Sequence, residues 1–199
     1  TANENDIVFI SSGIERGAGH FQNVGPTLRE GVEANLDANV SPRIEAHVSY
    51  SWIDATFGES FTVASPNHPD AAGGEIPVRR GDRIPLIPRN TAKAELIWRA
   101  TNAITFDAAF RMVSISFFRG DEGNLARPLP AYSVADAGVA WRGKHNLEFD
   151  ATLRNVANAR YATFGSFGDP SILGPGFDDP RFVTPGDPRT IVVGVRYRR

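Results

Sequence analysis

The chain has no cysteine, so no disulfide framework holds it together; that fits export through an oxidising compartment and equally fits a cytosolic domain. No apolar run approaches the roughly 20 residues that a membrane-spanning helix needs. This excludes a helical membrane protein and leaves a strand-built one open, because a spanning strand needs only about 9 to 11 residues, half of them facing a lumen. An excess of one charge is missing too. With 21 Lys and Arg against 23 Asp and Glu, the net charge of −2 lacks the basic footprint of a nucleic-acid binder. Residues Thr1 to Asp6 have neither a basic start nor an apolar stretch, so no signal peptide is visible, and an exported protein has lost its leader or is the tail of a longer chain. Helical i, i+3, i+4 spacing is weak throughout.

Strand spacing is abundant instead. Ile44, Ala46, Val48, Tyr50 and Trp52 alternate with Glu45, His47, Ser49 and Ser51, and Ala92, Ala94, Leu96 and Trp98 alternate with Lys93, Glu95 and Arg99. The same holds for Ile104, Phe106, Ala108 and Phe110, for Leu147, Phe149, Ala151 and Leu153, and for Val32, Ala34, Leu36 and Ala38. The final residues repeat it, with Ile191, Val193, Val195 and Tyr197 on one side and Thr190, Gly194 and Arg196 on the other. Eight strands are expected: 6–12, 28–40, 43–56, 90–100, 104–116, 132–142, 146–155 and 190–198. One face is apolar and rich in Ala; the other is charged.

The links alternate in length. Those at Ser41-Pro42, Thr101-Asn102-Ala103 and Gly143-Lys144-His145 are tight, whereas those over 13–27, 57–89, 117–131 and 156–189 are long and rich in Gly and Pro. In an antiparallel meander every second link falls at the same end, so one rim carries the short turns and the other the long loops, as in an outer-membrane barrel. The expected fold is therefore all-β: an antiparallel transmembrane β-barrel segment of about eight strands, with short periplasmic turns and long extracellular loops. Trp98, Trp141 and Tyr197 close strands at the short-turn rim on the apolar face and form a candidate interfacial girdle. A soluble sandwich also alternates its faces, with the apolar side packed inward, but its strands usually run about 5 to 6 residues. An autonomous eight-stranded barrel with a structural or adhesive role is a further alternative.

Specific residues then resemble a family. Asn155-Val156-Ala157-Asn158-Ala159-Arg160-Tyr161-Ala162, followed by Pro188-Arg189-Thr190 and Gly194-Val195-Arg196-Tyr197, is similar to the C-terminal end of TonB-dependent outer-membrane receptors. Asn23-Val24-Gly25 through Gly31-Val32-Glu33 with Tyr50-Ser51-Trp52, and Ile84-Pro85 through Asn90-Thr91, resemble the same family. The resemblance implies a C-terminal piece of a larger barrel in the outer membrane of a Gram-negative cell, with the plug domain and the TonB-contacting motif absent from these residues. It implies uptake of a scarce nutrient, of the ferric-siderophore type, with TonB engaged through the missing N-terminal region. One departure is the ending Tyr197-Arg198-Arg199, where such barrels commonly finish on an aromatic residue.

Candidate site residues are few. Arg79, Arg80, Arg83 and Arg89 cluster at the end of a long loop, where guanidinium groups can attract an anionic ferric chelate or hold lipopolysaccharide phosphates; a solvated loop offset by Glu75 and Asp82 is the plainer reading. Phe164, Phe167 and Phe177 are candidates for an aromatic ligand entrance, or for rings that the loop tucks away. The histidines His20, His47, His68 and His145 lack metal-ligand spacing, Gly17-Ala18-Gly19 and Gly73-Gly74 precede no helix, and the regularly spaced carboxylates read as lumen residues, so neither catalytic residues, cofactor nor metal is expected.

Overall fold

A computed structural model describes residues 1–4, 6–11, 19–143 and 146–197. Lys144 and His145 of the third tight link, Gly17 and Ala18, Ser12, and the terminal Arg198 and Arg199 lie outside the described residues. The strands are β1 (Ala2–Asn3), β2 (Ile7–Ser11), β3 (Gly19–Asn23), β4 (Thr27–Ser41), β5 (Ile44–Phe57), β6 (Phe61–Ala64), β7 (Glu75–Val78), β8 (Asn90–Arg99), β9 (Ile104–Val113), β10 (Tyr132–Arg142), β11 (Leu147–Arg154), β12 (Ala162–Phe167), β13 (Arg181–Pro185) and β14 (Thr190–Tyr197). Eight of them form one antiparallel sheet in the order β1-β4-β5-β8-β9-β10-β11-β14. The long links carry two-stranded hairpins of their own, β2/β3, β6/β7 and β12/β13.

Seven of the eight wall strands coincide with the strands expected from the alternation. The first expected strand does not belong to the wall. Ile7–Ser11 pairs with Gly19–Asn23 in a separate hairpin, and the wall gains the short β1, with Ala2 opposite Leu28 and Asn3 opposite Thr27. The physical reason lies in the sequence: Ile7 to Ile10 is an unbroken apolar run without the alternation that a two-faced wall strand needs.

Register carries the alternation from strand to strand. Leu36, Val48, Ala94, Phe110 and Ala135 stand opposite one another across five strands, and the adjacent row runs Asp37, His47, Glu95, Ala109 and Asp136. Because the side-chain period is two, this pairing puts every apolar set on one face. That face is not packed against anything: Leu36 is 61% exposed, Leu96 46% and Val193 69%. A soluble sandwich would bury these side chains in a dry centre, so that alternative is removed. The sheet is also open, since among the described residues no ladder joins β14 to β1. An autonomous closed barrel of eight strands is not what these residues form.

The buried core lies at the long-link end. Val24, Phe57, Val63, Ile76 and Val78 form one cluster with Phe61, Ala64, Ala71 and Ile84 packed on it, and Phe118, Leu129 and Phe167 form a second. Burying side chains of this size contributes about 1.5–3 kcal/mol each, so the long links after β5, β9 and β11 are folded units rather than loose tethers.

Candidate functional site

The charged face of the wall is organised by cross-strand ion pairs. Arg99 grips Glu45 with Nη1 and Nη2 at 2.8 and 3.0 Å, His47 Nδ1 lies 2.7 Å from Asp37 Oδ1, and Glu148 receives Arg142 at 3.0 Å and Arg196 at 3.5 Å. Exposed pairs of this kind contribute only about 0–1 kcal/mol. Their consequence is a polar, hydrated surface. Lys93 and Arg111 are direct cross-strand partners on it, and with Arg154, Glu95 and Asp136 they line a cavity of about 310 Å³ under Tyr161 and Asp187.

On the opposite face, Trp98 stacks on Phe106 at 5.4 Å and Trp141 on Phe149 at 5.5 Å. Both tryptophans and Tyr197 are exposed, and all three sit at the short-link ends of their strands. The three are exposed rings along one rim of the apolar face.

At the other rim three long links are tied to one another. Ser65 Oγ donates to the Gly120 carbonyl at 2.6 Å, and His68 meets Asp121 at 3.1 Å with both side chains fully buried. Asp121 also accepts the backbone N–H groups of Leu125 and Ala126 at 2.7 and 3.2 Å. The third link joins through Phe167, whose N–H donates to the Arg119 carbonyl at 3.0 Å and whose ring packs on His68 at 4.7 Å and on Phe118 at 5.4 Å. Gly165 lies so close to Phe118 that a Cβ there would sit 2.6 Å from the ring. Next to Asp121, Glu122 accepts from Gly120 N–H through Oε1, while its buried Oε2 has no partner among the described residues. Burial pushes the carboxyl of Glu122, and that of Asp121, above the ordinary carboxylate range.

The arginines singled out from sequence are divided by this packing. Arg79 and Arg80 are exposed on a tight turn, where Arg79 N–H donates to Asp82 Oδ2 and Arg80 N–H to Ser60 Oγ. Arg83 is half-buried, bonded to the Ile87 carbonyl, with its guanidinium 5.7 Å from the Phe117 ring centre; burial first, and then the neighbouring Arg89, hold it below the usual arginine range. Arg89 is paired with Asp54. Phe167 is buried in the second cluster, Phe164 is half-buried opposite Thr184, and Phe177 is exposed. Sequence reasoning missed Arg127, Arg160 and Arg181, which with Tyr161 line a cleft of about 580 Å³ between the third and fourth long links. A faint signal existed in Arg127-Pro128-Leu129-Pro130, whose prolines stiffen a wall. Among the described residues no group of three His, Asp or Glu side chains is placed to hold a metal, and no helix is long and apolar enough to cross a membrane.

Residues 3–156 match the family described as TonB dependent receptor-like, beta-barrel. No curated protein matches the chain. Similar solved structures include the siderophore receptor PiuA from Acinetobacter baumannii (16% identity, 98% of this chain and 24% of that one, TM-score 0.70). The ferric yersiniabactin uptake receptor FyuA from Yersinia pestis aligns at 17% identity over 88% of this chain and 24% of its own, with TM-score 0.65. The copper transporter OprC aligns at 17% over 98% and 27%, also with TM-score 0.65. Identities this low establish a shared fold. The chain spans roughly a quarter of the length of each of these proteins.

Proposed function

Because the chain belongs to the TonB-dependent receptor β-barrel family, we propose that it is the C-terminal part of a receptor that takes up a scarce nutrient, a ferric siderophore, across the outer membrane. It is an outer-membrane protein of the Gram-negative type, in a family of receptors rather than enzymes. The observation that carries the reading is the wall itself: register places an uncovered apolar face on one side and an ion-paired face on the other, while the long links fold together at one rim. Such a wall suits hydrocarbon outside and water inside.

On this reading Trp98, Trp141 and Tyr197 lie at the periplasmic lipid interface, where amphipathic rings are favoured. Outer-membrane lipid and lipopolysaccharide surround the apolar face, and TonB acts through a plug region belonging to the parent molecule. Arg79, Arg80, Arg83 and Phe164 keep side-chain surface with which a ligand at the mouth can be met, and Phe167 shapes the cap from within.

The test is uptake of radioactive iron from a panel of ferric siderophores by iron-starved cells with and without the gene for the full-length protein. Uptake of one chelate should depend on the gene and stop when the inner-membrane proton gradient is discharged. Gene-dependent uptake of copper but not iron overturns the siderophore assignment alone. Uptake of every nutrient tested at the same rate without the gene overturns the receptor role.

A further inference from the structure

The cleft between the link over residues 114–131 and the β12/β13 hairpin has two kinds of wall. Phe118, Leu129 and Val183 line its apolar side, and three arginines, Arg127, Arg160 and Arg181, line it together with a single acidic residue, Asp179. Arg181 is already committed. Its Nε and Nη2 donate to Asp179 at 2.8 and 2.7 Å, and those bonds hold the Asp179 carboxyl down to about 2. Arg127 and Arg160 form no ion pair among the described residues, and both are exposed.

The walls are also fixed in place. Pro128, Pro130 and Pro185 restrict the backbone on both sides. The Tyr161 ring stacks on Tyr132 at 4.5 Å, and it lies so close to Gly186 that no side chain fits there, while Gly186 N–H donates to the Tyr161 carbonyl at 2.8 Å. A preformed site of this size falls within the range of about 300–1,000 Å³ that small organic ligands occupy, and little ordering is needed to fill it.

We propose that this cleft binds an amphipathic organic anion: a flat apolar body resting on Phe118, Leu129 and Val183, with a carboxylate received by Arg127 and Arg160. The planar guanidinium fork matches a carboxylate better than a compact inorganic ion, and a small ion alone would leave the apolar side wet. Asp179 keeps Arg181 from over-charging the site and orients it along the rim. The inference names a ligand chemistry and holds whichever nutrient the parent molecule carries.

The test uses full-length protein in amphipol, titrated with naphthalene-2-carboxylate and with neutral naphthalene-2-carboxamide, with protein-free amphipol as the blank. The carboxylate should bind about tenfold tighter than the carboxamide, the gap expected from one charge-assisted hydrogen-bond pair. Arg127→Gln combined with Arg160→Gln should bring the carboxylate down to the carboxamide's affinity, Val183→Asp should weaken both probes, and Arg43→Gln, exposed on the tight link between β4 and β5 at the opposite rim, should change neither. Both arginines are exposed, and unchanged heat-dependent gel mobility checks that each variant is folded. Equal affinity for the two probes, or full carboxylate binding by the double variant, overturns the proposal. So does displacement of the carboxylate by inorganic phosphate together with indifference to Val183→Asp, which identifies a plain anion site. Nutrient uptake separates the two readings: probe binding with no gene-dependent uptake of any nutrient tested overturns the receptor role alone, and uptake without probe binding overturns the cleft alone.

Discussion

His68 shares its Nε2 proton with Asp121 Oδ1 across 3.1 Å while Asp70 N–H donates to His68 Nδ1 at 3.0 Å. The second bond fixes the first: Nδ1 is an acceptor, so the proton sits on Nε2 and the imidazole is neutral. Two links far apart in sequence are thereby joined through a single tautomer. Asp121→Ala strands the imidazole N–H and the amides of Leu125 and Ala126, each orphan costing about 1–3 kcal/mol. Hydrogen exchange should quicken across residues 58–89 and 114–131 and stay unchanged in β8 to β11. Protection that survives in the links would show that the pair does not hold them.

Glu122 makes the same region sensitive to pH. Its folded carboxyl is raised above its ordinary value of 4.5, chiefly by burial, so the contribution of the neutral acid is fully present below that value and is lost as the pH climbs through the raised one. The 114–131 link should therefore lose exchange protection with increasing pH above 4.5. Glu122→Gln imitates the neutral form and should reduce that dependence, leaving the part that Asp121, also raised by burial, contributes. A variant that titrates like the parent would place the sensitivity elsewhere.

The two faces of the wall should respond oppositely to charge. Val48 stands on the uncovered apolar face between Leu36 and Ala94, whereas its neighbour Ser49 faces Lys93. Val48→Arg should cost about 2–4 kcal/mol, the range for a cation near the bilayer midplane. Ser49→Glu gains a cation opposite and should cost nothing measurable. Folded yield in outer membranes, read as heat-modifiable protein on a gel, distinguishes them; equal yields would contradict the assignment of the faces.

Asn155 joins the end of β11 to the start of β14. It is buried with φ of 48°, its N–H donates to Asp136 Oδ1 at 2.7 Å, its Nδ2 donates to the carbonyls of Ala159 and Asp187 at 2.9 Å, and its Oδ1 accepts from Ala159 N–H at 2.8 Å. Asn155→Ala loses the side-chain bonds and keeps the left-handed backbone, a combined cost of about 2–4 kcal/mol. Asn155→Gly relieves the backbone alone and should recover roughly 1 kcal/mol of it. Urea midpoints of the folded protein in amphipol would rank the three; a glycine variant no better than alanine would remove backbone strain from the account.

These residues also show what can be read from a linear chain. Seven wall strands were legible because period-two alternation is local, and the tight links were legible because length alone marks them. Asn155 to Tyr161 was legible as a motif, but its reason was not: two left-handed asparagines and a ring stacked on Tyr132 require the folded corner. His68 and Asp121 carry no shared period, and each reads as an ordinary loop residue. Arg79 to Arg89 looked like one cluster because the residues are near in sequence, yet the turn at Arg79–Asp82 separates two exposed arginines from two that face Ile87 and Asp54. Arg127 and Arg160 were missed for the converse reason, since separate links bring them together.

The ties among Ser65, His68, Gly120, Asp121 and Phe167 bear on how this rim can vary. Grafting any one of these segments from a distant homologue would leave a histidine without its acceptor or a phenylalanine without its socket, so the three links can change shape only together, or at tip residues that take no share in the knot.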